Sequence, residues 1–357
     1  MLTRHLFPAL GLAAALALPA AARTAETNDD AATDPALSSP FAFAESRAKA
    51  ARRSEAEATA DASGSRVIGG AVAEPGAWPW QVALMIAGRD RSPDSQFCGG
   101  TMILDTWVLT AAHCIRQTDS EGRAFDVDPA KINVLVGAHL LSGTEGDLVP
   151  ADLIIAHPGY DPGQFDNDIA LIRLARAPEA AYRTIQVPDA GLGDRIDQEG
   201  VPTWVTGWGL IEGAEAPDAM REARIQILDR DACNGALMEA RARAAVQSFA
   251  KAAQVLSMDE SSAREVWSQL LDRAPRPMTA NMLCSGTYEG GRTSCQGDSG
   301  GPLVVPLEDG GFVQAGIVSW GLSAGPGKTC AETAMFSAYT RVSNYLPWLE
   351  QTIDANP

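Results

Sequence analysis

Three short segments carry side chains that could together perform acyl transfer: Thr110-Ala111-Ala112-His113-Cys114, Asp166-Asn167-Asp168-Ile169-Ala170-Leu171 and Gly297-Asp298-Ser299-Gly300-Gly301-Pro302. A serine hydroxyl is too weak an acid to ionise alone, so a serine nucleophile needs a base beside it. Imidazole is the side chain that exchanges a proton near neutral pH, and a carboxylate can fix which of its nitrogens holds that proton. Taken singly, each segment has a plainer meaning. A serine among glycines is usually a turn, and an aspartate before isoleucine is usually the edge of a strand. Of the four histidines, His5 lies in the N-terminal segment that reads as a signal peptide, which leaves His113, His139 and His157 as candidates for the base.

The order His, Asp, Ser and these surroundings resemble the trypsin and chymotrypsin family of serine proteases. The resemblance extends over residues 67 to 357, with Val67-Ile68-Gly69-Gly70 at its start and Ser319-Trp320-Gly321 near its end. It implies an endopeptidase in which Ser299 attacks the carbonyl, His113 takes its proton and returns it to the leaving amine, and Asp168 steadies the imidazole. His139 and His157 are then loop histidines. The Gly297 and Ser299 amides would form the oxyanion hole. Thr293 would lie at the floor of the specificity pocket, with Ser319, Gly321 and Ser337 along its wall.

Thr293 is neutral where trypsins carry Asp, so uncharged side chains are expected before the cut bond. Glu332, in a long wall segment, would be the residue able to restore a charge. The customary Pro-Gly before the Tyr-Thr strand is here Phe336-Ser337. The resemblance also implies activation by a cut after Arg66, which frees the Val67 α-amino group to pair with Asp298; the plainer reading makes Arg66 a linker residue. The disulfides it implies are Cys98–Cys114, Cys233–Cys284 and Cys295–Cys330. No cofactor is expected. The loop from Ala138 to Asp147 begins with Ala where a calcium ligand would stand, so no metal is expected either.

These residues need a scaffold, and the chain supplies strand signals in two series. Short β-rich runs lie at 80–86, 101–110, 132–136, 153–155 and 169–174, then at 202–208, 223–228, 301–305, 314–320 and 336–341. Gly, Pro and Asp clusters separate them, which argues for antiparallel barrels or sandwiches. With the resemblance, the expected fold is all-β: two packed antiparallel six-stranded barrels with a helical insertion and a C-terminal helix. The insertion, about 234–275, reads as two amphipathic helices, with Leu237, Ala242, Val246, Phe249, Ala253 and Leu256 in phase on the first. Ser257-Met258-Asp259-Glu260 has capping-box form and should begin the second. Both apolar faces are expected to pack on a barrel; the other reading is a partner-binding hairpin. The last helix is expected from an Asn344 cap to Ile353, with Pro347 in its first turn.

Of the 357 residues, 46% are hydrophobic and 20% charged, as in globular proteins, and the length suits about two domains. Forty-five acidic against 28 basic residues give a net charge of −17, which repels a phosphate backbone and argues against nucleic acid as a partner. Arg4, the apolar stretch Leu6 to Leu18 and Pro19-Ala20-Ala21-Ala22 read as a signal peptide over residues 1–22 rather than a short anchor helix. No span is expected once it is removed, so the product is secreted or periplasmic. Residues 23–66, with Phe41 and Phe43 their only aromatics, read as a disordered linker or pro-segment.

All six cysteines lie beyond residue 66 and, after export, would form disulfides; zinc would want C-x-x-C spacing, which is lacking. The expected partners are a peptide or protein substrate and a separate activating protease, with the chain itself a monomer. Two rival readings are a catalytically silent binding protein on the same fold and an esterase using the same three residues.

Overall fold

Short apolar strands dominate the chain because runs such as Gln81–Ile86 are buried at every position and can satisfy their backbone only by pairing on both sides. The computed structural model describes residues 40–41, 70–119, 121, 123–211, 216–287, 293–321 and 336–357. The expected signal peptide, the junction at Arg66 and Val67, Cys330 and Glu332 lie outside them, as does all of the expected pro-segment but Pro40 and Phe41.

The first barrel closes in the order β2 (Gln81–Ile86), β3 (Gln96–Leu104), β4 (Trp107–Thr110), β9 (Ala170–Leu174), β8 (Asp147–Ala156) and β7 (Ile132–Val136). The second runs β11 (Arg221–Ile227), β10 (Pro202–Gly207), β13 (Pro302–Pro306), β14 (Phe312–Gly321), β15 (Phe336–Arg341) and β12 (Met282–Gly286). Antiparallel pairing of Gln226 with Gly286 and Ile227 with Ser285 closes it. A short strand β1 (Ala71–Val72) adds to the outside of β11, and β5 (Arg116–Thr118) pairs with β6 (Ala124–Asp126) as a separate hairpin. The expected double-barrel fold is therefore present.

Between the barrels lies an aromatic seam. Trp78 and Trp80, which enter β2, meet Trp204 of β10 and Phe312 of β14, with ring centroids 5.2 Å apart for Trp78–Phe312 and 5.5 Å for Trp80–Phe312. These rings bury a large apolar area and make the edge contacts aromatic pairs prefer, so the two barrels are held against each other by more than loops. Trp78 also donates its indole N–H to Glu222 at 2.7 Å.

Helices are few. α1 (Ala112–Ile115) is one buried turn after β4, and α2 (Ala190–Ile196) precedes β10 and packs on the core of the second barrel. The insertion forms α3 (Arg230–Val255) and α4 (Glu260–Arg273). Three expectations for the helices change. The first is the cap of α4: Asp259, not Ser257, accepts the Ser262 amide at 3.0 Å, and Ser257 sits at φ 54 in the preceding turn. A carboxylate one residue before the helix outcompetes a hydroxyl already committed to the reversal. The second is packing: only Cys233 and Leu237 of α3 join the barrel core, beside Met282, Cys284 and Phe336. α4 has no buried residue, and Phe249 meets Trp267 at 5.0 Å across the hairpin. The two apolar faces thus pack on each other, leaving Val255 and Leu256 exposed.

The third change is at the C-terminus. α5 (Leu346–Asp354) has Pro347 in its first turn, but Tyr345 takes the cap position. The Asn344 side chain is engaged elsewhere, with Arg341, Ala280 and Asn281.

Candidate active site

His113 occupies the single turn α1, all four residues of which are buried. Its backbone N–H donates to Asp168 Oδ1 at 2.8 Å and its Nδ1 lies 2.7 Å from Asp168 Oδ2, so one carboxylate grips both main chain and ring. That contact fixes the proton on Nδ1 and leaves Nε2 as the free base. Asp168 itself is fully buried and stands just before β9. Two groups of the second barrel also reach it: the Ser319 hydroxyl donates to Oδ2 at 2.5 Å, and the Thr340 hydroxyl donates to its backbone carbonyl at 2.6 Å. Phe165, at φ 56, sets its ring edge-on to the imidazole at 5.8 Å.

The loop bearing Ser299 is stitched to both barrels. The Gly99 amide donates to the Ser299 carbonyl at 2.7 Å, and the Gly300 amide donates to the Val318 carbonyl at 2.8 Å, next to Ser319. Gly300 has φ +79, and a Cβ there would collide with the Thr110 hydroxyl, so no other residue fits between this loop and the strand leading to His113. The Cys98–Cys114 disulfide ties β3 to α1, with Cα atoms 6.2 Å apart. Among the described residues the Ser299 hydroxyl and the Gly297 and Ser299 amides have no protein hydrogen-bond partner. One tight turn thus presents a free hydroxyl and two free backbone donors. Gln96 supports that turn by donating to the Gly297 carbonyl at 2.7 Å.

Behind the turn, Asp298 points away from Ser299. Its Oδ1 accepts the Gly209 amide at 2.8 Å and its Oδ2 accepts the Cys295 amide at 2.9 Å. It faces a cavity lined by Gly70, Val205, Gly209, Arg221 and Thr293. Burial pushes the carboxyl up to about 6, the two amides opposing that shift only in part. Thr293 and Ser337 share a hydrogen bond at 2.5 Å, and the Ser294 hydroxyl donates to Ser337 at 2.8 Å. A Cβ on Gly321 would stand 3.3 Å from the Ser337 hydroxyl, which brings these two parts of the expected pocket close together.

Comparison with known proteins gives the same reading of the fold. The model of the trypsin family matches residues 67–349. The chain belongs to the trypsin family. Among curated relatives, serine protease 56 of Mus musculus is 33% identical over 304 residues, covering 82% of this chain and 39% of the relative. Serine protease 56 of Homo sapiens is 31% identical over 303 residues, with the same coverage. The chain thus spans about two-fifths of the length of these relatives.

Within this trypsin-family chain, His113, Asp168 and Ser299 fall on one seam between the barrels, held by β3, β9 and β14. His139 and His157 lie elsewhere: His139 accepts the Trp208 indole N–H on its carbonyl, and His157 packs edge-on to Tyr345 and Trp348 at 5.3 and 5.0 Å. The first two expected disulfides are formed, the second between Cys233 and Cys284. Cys295 is disulfide-bonded, and its expected partner Cys330 lies outside the described residues. Cys98, His113 and Cys114 come within metal-ligating distance of one another, but both sulfurs are spent in the disulfide and cannot act as thiolate ligands. No helix of the described residues is long and apolar enough to cross a membrane.

Ser319, expected along the pocket wall, also donates its hydroxyl to Asp168, a contact the sequence did not point to. Gln96, Thr340 and Phe165 carry no motif that would single them out in the sequence. Their contacts arise only when the barrels meet.

The raised Asp298 carboxyl yields a pH dependence with a defined sign. A folded value of about 6 against an ordinary 3.8 means that the folded full chain holds this proton after the unfolded chain has released it. Stability therefore falls as pH rises from about 4 to about 6, by at most ~3 kcal/mol from this group, and the loss then stays constant. Urea unfolding of the full chain should show this component, and Asp298→Asn should lack it whatever its baseline stability. Parallel pH profiles for the two would contradict the assignment.

Proposed function

We propose that this chain is a serine endopeptidase that hydrolyses peptide bonds through an acyl-enzyme formed on Ser299. The observation that carries this reading is the grip of Asp168 on both the ring and the backbone of His113, opposite a turn with a free hydroxyl and two free amides. His113 Nε2 takes the Ser299 proton as the oxygen attacks the carbonyl carbon, then delivers it to the leaving amine. Water repeats the sequence to release the acid. The Gly297 and Ser299 amides receive the developing oxyanion, each donor worth about 3 kcal/mol in the transition state. Asp168 stabilises the imidazolium, and Ser319 donates to the oxygen that faces the ring. Where the hydroxyl and imidazole are not bonded in the free protein, substrate binding draws them together.

The chain is made as a precursor in this reading, exported by residues 1–22 and cut after Arg66. The freed Val67 ammonium enters the cavity that begins beside Gly70 and pairs with Asp298. Supporting this, the half-buried Asp298 carboxyl meets two amides and no cation among the described residues, so it sits without a counter-charge until a positive charge arrives. The pairing would fix the turn that carries the oxyanion donors.

The pocket takes small uncharged side chains. Thr293, Ser294 and Ser337 bond to one another through their hydroxyls and none of them is a carboxylate that could receive Lys or Arg, while the Ser337 hydroxymethyl group would narrow the space open to a large ring. Matched peptides differing only in Ala, Phe or Arg before the cut bond test this. Ala should be cut fastest, and Ser337→Gly should raise turnover of the Phe peptide by about 10- to 200-fold relative to Ala, the range that one methylene commands in an apolar pocket. Preference for Arg in the parent enzyme would contradict it and implicate Glu332.

The reaction itself is tested by Ser299→Ala in the processed chain. Turnover should fall by roughly 10⁶ while the disulfides and thermal unfolding stay unchanged. Turnover within tenfold of the parent would remove Ser299 as the nucleophile.

A further inference from the structure

Phe41 does not behave as a residue of a featureless linker. It is 1% exposed, its ring stands edge-on to Phe97 with centroids 5.1 Å apart, and it joins the core cluster of the first barrel. Pro40 beside it is half-buried and helical. The 28 residues from 42 to 69 separate Phe41 from the start of the described barrels, enough chain to reach any point on the domain. The contact is therefore not imposed by connectivity. A linker under no constraint has no reason to bury its aromatic ring in a folded neighbour unless the site fits it.

The receiving residue is placed where it matters. Phe97 lies in β3 between Gln96, which holds the Gly297 carbonyl, and Cys98, whose disulfide anchors the residue after His113. Phe97 is itself only 3% exposed with Phe41 in place. Loss of Phe41 would uncover an aromatic surface one residue from a support of the Ser299 turn and one residue from the anchor of the turn that bears His113.

We propose that residues 23–66 carry a docking element centred on Phe41 that seats on the Phe97 surface of the first barrel. The segment is a partner bound in cis. Cutting the chain between residues 42 and 69 converts it into a separate peptide held by the same aromatic contact. The released domain then has an apolar acceptor face beside its catalytic loop, and its first occupant is the segment just detached. This docking stands apart from the catalytic reading, because it needs neither an active Ser299 nor a cut at a particular bond.

The test is limited proteolysis of the full chain by thermolysin in a Ser299→Ala background, so that no turnover by the chain itself enters the measurement. The bond read is Ala42–Phe43, common to every variant. Docking limits cleavage to the fraction of time the segment is open, so Phe41→Ala should raise the rate at this bond by about tenfold or more, with Phe41→Leu intermediate. Phe97→Ala should match Phe41→Ala, and Phe97→Leu should fall between. Equal rates in the parent and Phe41→Ala would overturn the docking. A faster Phe41→Ala alongside an unchanged, folded Phe97→Ala would overturn Phe97 as its receptor. Should Phe97→Ala fail to fold, the Phe41 series alone decides.

Discussion

The Asp168 carboxylate is the contact on which the rest of the site depends. It is fully buried, it belongs to the first barrel, and it receives the backbone amide and ring of His113 together with the Ser319 hydroxyl of the second barrel. An unpaired charge in that position would be expensive, so the surrounding donors must be delivered accurately. Delivery is the work of the two barrels. β9 brings Asp168, the disulfide-tied turn α1 brings His113, and β14 brings Ser319 and the carbonyl that holds Gly300. The aromatic seam of Trp78, Trp80, Trp204 and Phe312 keeps the halves in register, which makes the remote packing part of the site's accuracy.

Asp298 presents the opposite electrostatic situation. It is half-buried beside a cavity, only backbone amides meet it, and its carboxyl is held well above the ordinary carboxylate range. One turn therefore carries the Ser299 hydroxyl on one side and, on the other, an acid that meets no cation among the described residues. In the proposed mechanism the first aspartate is satisfied by folding alone and the second only after a new amino terminus is made. That division separates building the base from building the oxyanion donors. In that mechanism the full chain would hold His113 in place and still be inactive.

The motifs around His113, Asp168 and Ser299, with the resemblance they carry, were enough to expect two barrels, and the strand runs at 132–136, 202–208 and 336–341 were legible from β-branched and aromatic content. Other elements were not. The run at 101–110 is the end of β3 followed by β4, because Asp105-Thr106 reverses the chain between two apolar stretches. β12 was missed, since Met282–Gly286 is short and follows helical sequence. Most of β8 was missed because its burial alternates unevenly and it contains Pro150. In the insertion, periodicity found both helices but not their partner: a 3.6-residue period shows that a face is apolar, not which surface covers it. Gln96, Thr340 and Phe41 were invisible for the same reason, as their roles are set by residues far away in sequence.

The central claim is that the turn bearing Ser299 becomes reactive when a cation reaches Asp298. The most direct measurement is the rate at which a fluorophosphonate labels Ser299 in the full chain before and after a specific cut behind Arg66. The account predicts a rise of about 10²-fold or more on cutting, the scale on which an oxyanion donor acts, and no rise when Asp298→Asn is cut in the same way. Equal labelling of the uncut and cut chains would contradict it.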